Sequence, residues 1–259
     1  MYFSDIGNRI MKFDPRNKRT TVFRNPSGRA NGLIFDSKGR LIACEGANTG
    51  GKRRVSITTM NGKMKTLADR WKGKRFNSPN DLTIDRKGRI YFTDPRYVGN
   101  ESREIKTESV YRIGPNGEVT QLITDVKKPN GIVLSPDNKT LYLAENDPSG
   151  DRLLLAYRLK ANGTVGAKNQ LHDFGDGRGI DGMTIDIKGN VYATAGRGKN
   201  AGVYIFNPEG KLLIKIPTPE TPSNCVFGGK DNRTLYITAG VSLYRIRLNV
   251  PGFAIYRPN

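Results

Sequence analysis

One phrase recurs along this chain and limits what it can fold into. Its fullest form runs from Asn77 to Asp94: a polar anchor at Asn80, the apolar run Leu82-Thr83-Ile84, a tight turn at Arg86-Lys87-Gly88, and a run of β-formers ending Tyr91-Phe92-Thr93-Asp94. The same order follows anchors at Asn31, Asn130, Asp181 and Asn224, so that successive anchors stand 49, 50, 51 and 43 residues apart. A steady period of that size signals a radial or solenoidal array, in which each unit buries its faces on its neighbours.

After each anchored pair of strands the sequence offers two more. Arg54-Val55-Ser56-Ile57 and Lys63 to Leu67 flank Asn61-Gly62, which reads as a two-residue hairpin turn with positive φ at both positions. Ser109 to Ile113 and Glu118 to Ile123 flank Gly114-Pro115-Asn116-Gly117 in the same way. Four antiparallel strands in each unit of about 40–50 residues make a β-propeller blade, and the count is six. Residues 1–259 therefore read as a single all-β domain, a six-bladed β-propeller. Tyr2-Phe3-Ser4-Asp5 matches Tyr91-Phe92-Thr93-Asp94, a second strand, so blade one is expected to lack its inner strand. Blade six is expected to lack its closing outer strand, with Phe253-Ala254-Ile255-Tyr256 lying over the open edge. Open edges invite pairing, and an edge-mediated dimer is the expected consequence.

Thirty Gly and fourteen Pro suit a turn-rich β protein. The formal net charge of +19 bears on solubility and on nonspecific attraction to polyanions. Because the basic residues are scattered through turns such as Lys72-Gly73-Lys74-Arg75, no specific nucleic-acid site is expected. No run reaches the roughly 18 apolar residues of a spanning helix, and no membrane partner is expected. Two cysteines, Cys44 and Cys225, do not make a disulfide framework.

The anchors open the inner strands, which directs the side chains of Asn80, Asn130 and Asp181 to one mouth of a central channel. Amide and carboxylate oxygens converging there suit a hard cation such as Ca²⁺, Mg²⁺ or Mn²⁺. Asn or Asp before Gly equally forms a turn with no ligand at all. Asp173-Phe174-Gly175 lacks the partners of a kinase metal site and reads as a turn, and the lone His172 has no Ser or Cys nucleophile motif beside it.

Arg75-Phe76-Asn77-Ser78-Pro79-Asn80-Asp81, Pro129-Asn130-Gly131-Ile132, Gly179-Ile180-Asp181-Gly182-Met183 and Phe227-Gly228-Gly229 resemble the gluconolactonase / senescence marker protein (regucalcin) family, in the right order along nearly the whole chain. The resemblance implies a six-bladed propeller that hydrolyses sugar lactones with one divalent cation, Ca²⁺ or Zn²⁺, in the channel. By that resemblance Asn130 and Asp181 are metal ligands and Asp181 is also the catalytic carboxylate. Asn80 lines the substrate pocket and Arg75 approaches the substrate. The family's first ligand, a Glu opening the inner strand of blade one, has no counterpart. Fourteen residues separate Asn80 from Asp94, which places the first anchor upstream of Met1 and leads us to expect an N-terminally shortened copy. Loss of that Glu leaves a second reading open, a propeller that binds a ligand or partner without catalysis.

Overall fold

The computed structural model describes residues 1–255, in two compact units: Met1–Lys128 with Ile255, and Pro129–Ala254. Nearly all regular structure is antiparallel sheet, laid down in sequence order. In the first unit β1 (Tyr2–Asp5), β2 (Arg9–Asp14) and β3 (Arg19–Arg24) form a three-stranded sheet. Next come β4 (Ala30–Phe35), β5 (Leu41–Glu45), β6 (Arg54–Thr58) and β7 (Met64–Ala68). A small hairpin, β8 (Arg70–Trp71) with β9 (Lys74–Arg75), precedes β10 (Leu82–Ile84), β11 (Ile90–Asp94), β12 (Ser109–Ile113) and β13 (Val119–Ile123).

The second unit begins with β14 (Pro129–Leu134), β15 (Thr140–Asn146), β16 (Arg152–Leu159) and β17 (Val165–Asp173). It continues with β18 (Met183–Ile185), β19 (Val191–Ala195), β20 (Gly202–Phe206) and β21 (Leu212–Pro217). Its last sheet is β22 (Pro222–Gly228), β23 (Thr234–Ala239) and β24 (Ser242–Arg247). This is the six-bladed β-propeller arrangement, three blades to a unit. Among the described residues the first and last blades have three strands and the four between them four each, as the strand phrasing led us to expect. The segment after β24 departs from expectation. Gly252 bridges Asp186, the Phe253 N–H donates to the Ile185 carbonyl, and the Gly252 N–H donates to Asn232 O between β22 and β23, so this stretch runs between the end of β18 and the β22–β23 turn rather than along β24. Tyr256 lies outside the described residues.

The second strand of each blade explains the packing. β5, β11 and β19 are buried at every residue, because sheets lie against both of their faces. Within the first unit Ile42, Val55 and Ile57 pack on Leu82, Phe92 and Tyr111, and Phe76 meets Phe92 edge-on with ring centroids 5.0 Å apart. Within the second unit Ala144 and Leu154 pack on Met183, Val191 and Phe206, while Val203 and Ile205 pack on Cys225, Phe227 and Ile237. Each large apolar side chain so buried contributes about 1.5–3 kcal/mol, which is what orders one blade on the next.

Turn chemistry sets the register. Asp36, Asp85 and Asp186 end three inner strands, and each carboxylate accepts backbone N–H groups two and four residues on, from Lys38 and Arg40, Lys87 and Arg89, and Lys188 and Asn190. The turn at Asn61-Gly62 differs from expectation. Gly62 alone has positive φ, +84°, and the loop closes through Gly62 N–H to Thr59 O and Thr59 N–H to Lys63 O. Three residues bridge the strands here, a geometry that needs a left-handed residue only at its last position.

Candidate active site

The anchors of both units rest on one backbone frame. The Asn80 N–H donates to Thr93 O at 2.9 Å, the Asp81 N–H to Thr93 Oγ1 at 3.0 Å, and the Thr93 N–H returns to Asp81 O at 3.0 Å. Asp181 N–H to Thr194 O, Gly182 N–H to Thr194 Oγ1 and Thr194 N–H to Gly182 O repeat those bonds at 2.9, 3.0 and 3.0 Å. Glycine follows the anchors Asn31, Asn130 and Asp181 for a steric reason that the turn reading missed. A Cβ on Gly131 would lie 2.5 Å from Asp181 O, and one on Gly182 would overlap the Asn224 side chain. The strand starts pass too close for a side chain.

In the first unit the loop before Asn80 is fixed by a buried carboxylate. Asp94, fully inaccessible, accepts the N–H groups of Asn77 at 2.7 Å and Ser78 at 2.6 Å. Burial pushes its pKa up to about 7, opposed by those two N–H groups and by Arg53 and Arg96. Arg96 holds the same loop from the other side, donating to Asn77 O through Nε at 3.1 Å and Nη2 at 2.8 Å. Arg53, 5% exposed, donates to Phe76 O at 2.7 Å. Asn80 thus stands half-buried on a stiff loop. Arg75 lies on β9, with its N–H on Glu104 and Nη2 on Lys52 O at 2.8 Å. Glu45 is fully buried and neutralised by Arg24 and by Arg54 at 2.7 Å, with Ser56 Oγ at 2.6 Å. It serves the blade interior.

The second unit brings two predicted residues together. The Asn130 side chain is hydrogen-bonded to the Asp181 carboxylate. Protein surrounds that carboxylate, yet 31% of its side chain stays open. Burial raises its pKa, while Arg178 and the Asn130 hydrogen bond act the other way. Arg178, which the sequence reading passed over, donates through Nη2 to Asp181 Oδ2 at 2.5 Å and through Nη1 to Pro222 O at 2.9 Å. Its place three residues before an anchor matches that of Asn77 before Asn80, a spacing that does not reveal the carboxylate it meets.

An amide and a carboxylate in mutual hydrogen-bond contact can turn two oxygens toward one ion, and oxygen donors suit a hard divalent cation. Both fit as ligands, with Oδ2 in competition with Arg178. Among the described residues no three His, Cys, Asp or Glu side chains gather closely enough to hold a metal, so a cation here would have to complete its coordination with water or with groups outside that set. His172 takes no part: it packs its ring on Phe174 and Phe206, at 4.7 and 4.9 Å between centroids. The Cys44 and Cys225 thiols are buried, and each meets a backbone carbonyl, of Asp81 and Tyr192 respectively. No helix among the described residues is long and apolar enough to cross a membrane.

Comparison with known proteins gives one picture. The SMP-30/gluconolactonase/LRE-like region matches residues 1–241. A gluconolactonase of Zymomonas mobilis is 32% identical over 97% of this chain and 76% of its own length. Among solved structures, a gluconolactonase from Xanthomonas campestris superimposes with a TM-score of 0.84 and 31% identity, covering 97% of this chain and 81% of that one. A regucalcin from Agrobacterium tumefaciens shares the fold, with a TM-score of 0.76 and 18% identity over 99% of this chain and 88% of that one.

Proposed function

Because the chain belongs to the SMP-30/gluconolactonase/LRE-like family, we propose that it hydrolyses sugar lactones at a site held by Asn130 and Asp181, with one divalent cation as cofactor. The observation that carries this reading is the Asp181 carboxylate, hydrogen-bonded to Asn130 and open on one side. A bound cation, Ca²⁺ or Zn²⁺ with Mg²⁺ and Mn²⁺ as alternatives, would polarise the lactone carbonyl and acidify an attacking water. Asp181 accepts the water proton as the new bond to the carbonyl carbon forms. When the ring C–O bond breaks, the same proton passes to the departing alkoxide oxygen, leaving a hydroxy acid. Asn130 fixes the orientation of the carboxylate through their hydrogen bond. Asn80 and Arg75, the residues the family likeness assigns to the substrate, belong to the first unit, and each carries side-chain hydrogen-bond donors.

The test is Asp181→Asn, assayed for opening of glucono-δ-lactone by acid release. An amide cannot take the proton, and the rate should fall about 100-fold or more with the melting temperature little changed. Equal rates for the two proteins would remove Asp181 from the reaction. The second reading, a ligand-binding propeller without turnover, draws on the Arg178 guanidinium that already neutralises Asp181. It predicts no lactone opening by the parent protein above the uncatalysed rate.

A further inference from the structure

We propose that Arg178 is the resident counter-cation of Asp181 and sets the metal affinity of the site, a divalent ion binding only by displacing the guanidinium from Oδ2. This rests on the metal reading above. Three observations place Arg178 in that role. Its Nη2 lies 2.5 Å from Oδ2. Its Nη1 donates to Pro222 O at 2.9 Å, and its own carbonyl accepts the Gly196 N–H at 2.9 Å, so the side chain is held at both ends. Only 14% of it is exposed, so the ion pair is shielded from much of the solvent that would weaken it.

The charge count follows from chemistry. With Arg178 in place the carboxylate and guanidinium sum to zero without a metal. An incoming divalent ion must give up part of its hydration, break the pair and then share the site with a unit positive charge a few ångströms away. Pro222 O gives the released guanidinium a place to remain, which keeps that repulsion in force after the exchange. At the corresponding position before Asn80 stands Asn77, and no carboxylate occupies that anchor, so the arrangement belongs to one blade. A protein built this way binds its ion weakly and reversibly.

The experiment is calorimetric titration of the purified chain with Ca²⁺, Zn²⁺ and Mn²⁺, alongside melting temperature with and without excess metal. Arg178→Gln keeps a donor for Pro222 O and removes the charge; Arg178→Lys keeps the charge. The expected result is affinity roughly tenfold or more higher for Arg178→Gln, the order that repulsion between neighbouring charges in a half-shielded site supplies. A larger metal-induced rise in melting temperature should accompany it. Arg178→Lys should stay within a few-fold of the parent. Arg178→Ala replaces the Gln variant if that one unfolds. Binding by the parent that Arg178→Gln leaves unchanged or weakens would overturn the role given to Arg178 while sparing the metal reading. Absence of binding by the parent and by both uncharged variants at millimolar metal would overturn the metal reading itself.

Discussion

The third and fifth blades carry the same frame and put their carboxylates in different places. In the third blade the anchor is the neutral Asn80, and the acid is Asp94 at the end of β11, inaccessible to solvent and spent on two backbone N–H groups. In the fifth blade the residue matching Asp94 is Ala195, and the acid has moved to the anchor, Asp181, where it meets Arg178 and Asn130 and keeps an open side. The backbone bonds to Thr93 and Thr194 agree within 0.1 Å throughout. A repeat therefore fixes where an acid can stand, and whether it is closed in on backbone donors or left open on one side depends on which of two positions holds it.

The largest stability effect should come from Asp94. Asp94→Asn turns an amide nitrogen toward one of the N–H groups of Asn77 and Ser78, leaving a buried donor without an acceptor, and should cost about 3 kcal/mol in denaturant unfolding. The pH dependence sharpens the point. Burial raises the folded-state pKa of Asp94 to about 7, above the ordinary carboxylate value, so the folded protein holds a proton there that the unfolded chain has released. That contribution is present in full below the unfolded pKa near 4 and is lost as pH rises through 7. The stability gap between parent and variant should accordingly be widest near pH 4 and narrow toward pH 8. A gap that widens with pH would contradict it.

Close approach of the strand starts should give the next effect. Gly131→Ala drives a methyl into the Asp181 carbonyl, a backbone atom that moves only with its strand, and should cost about 2–3 kcal/mol. Gly182→Ala meets the Asn224 side chain, which can rotate away, and should cost less. Equal losses in the two melts would show that backbone spacing is not what the glycines protect.

The smallest effect separates the two threonines. Thr93→Val removes the acceptor of the buried Asp81 N–H and should cost about 2 kcal/mol. Thr194→Val should cost about 1 kcal/mol, because the Gly182 N–H it serves also reaches Ser223 O at 2.9 Å. Chemical denaturation of both variants decides the order.

Much of this was readable in the chain, for a physical reason. The spacing of Asn31, Asn80, Asn130, Asp181 and Asn224 reports the blade directly, since each blade reuses one set of turns and buried strands. Asn130 and Asp181 were legible as a pair through the same spacing. Asp94 and Arg178 were not, because their roles arise from what lies beside them in space: the N–H groups of a loop in one case, a carboxylate and the Pro222 carbonyl in the other. The three-residue turn at Asn61 escaped because a dipeptide does not say how many residues bridge two strands.

Lactone turnover per folded molecule most directly measures the division of labour proposed for the two acids. Asp94→Asn and Asp181→Asn should be compared in one assay, with the folded fraction of each read from circular dichroism under the same conditions. Asp94→Asn should melt lower yet open lactone at nearly the parent rate per folded molecule, while Asp181→Asn should melt close to the parent and lose about 100-fold or more in rate. The reverse pattern, turnover lost with Asp94 and kept without Asp181, would contradict that division of labour.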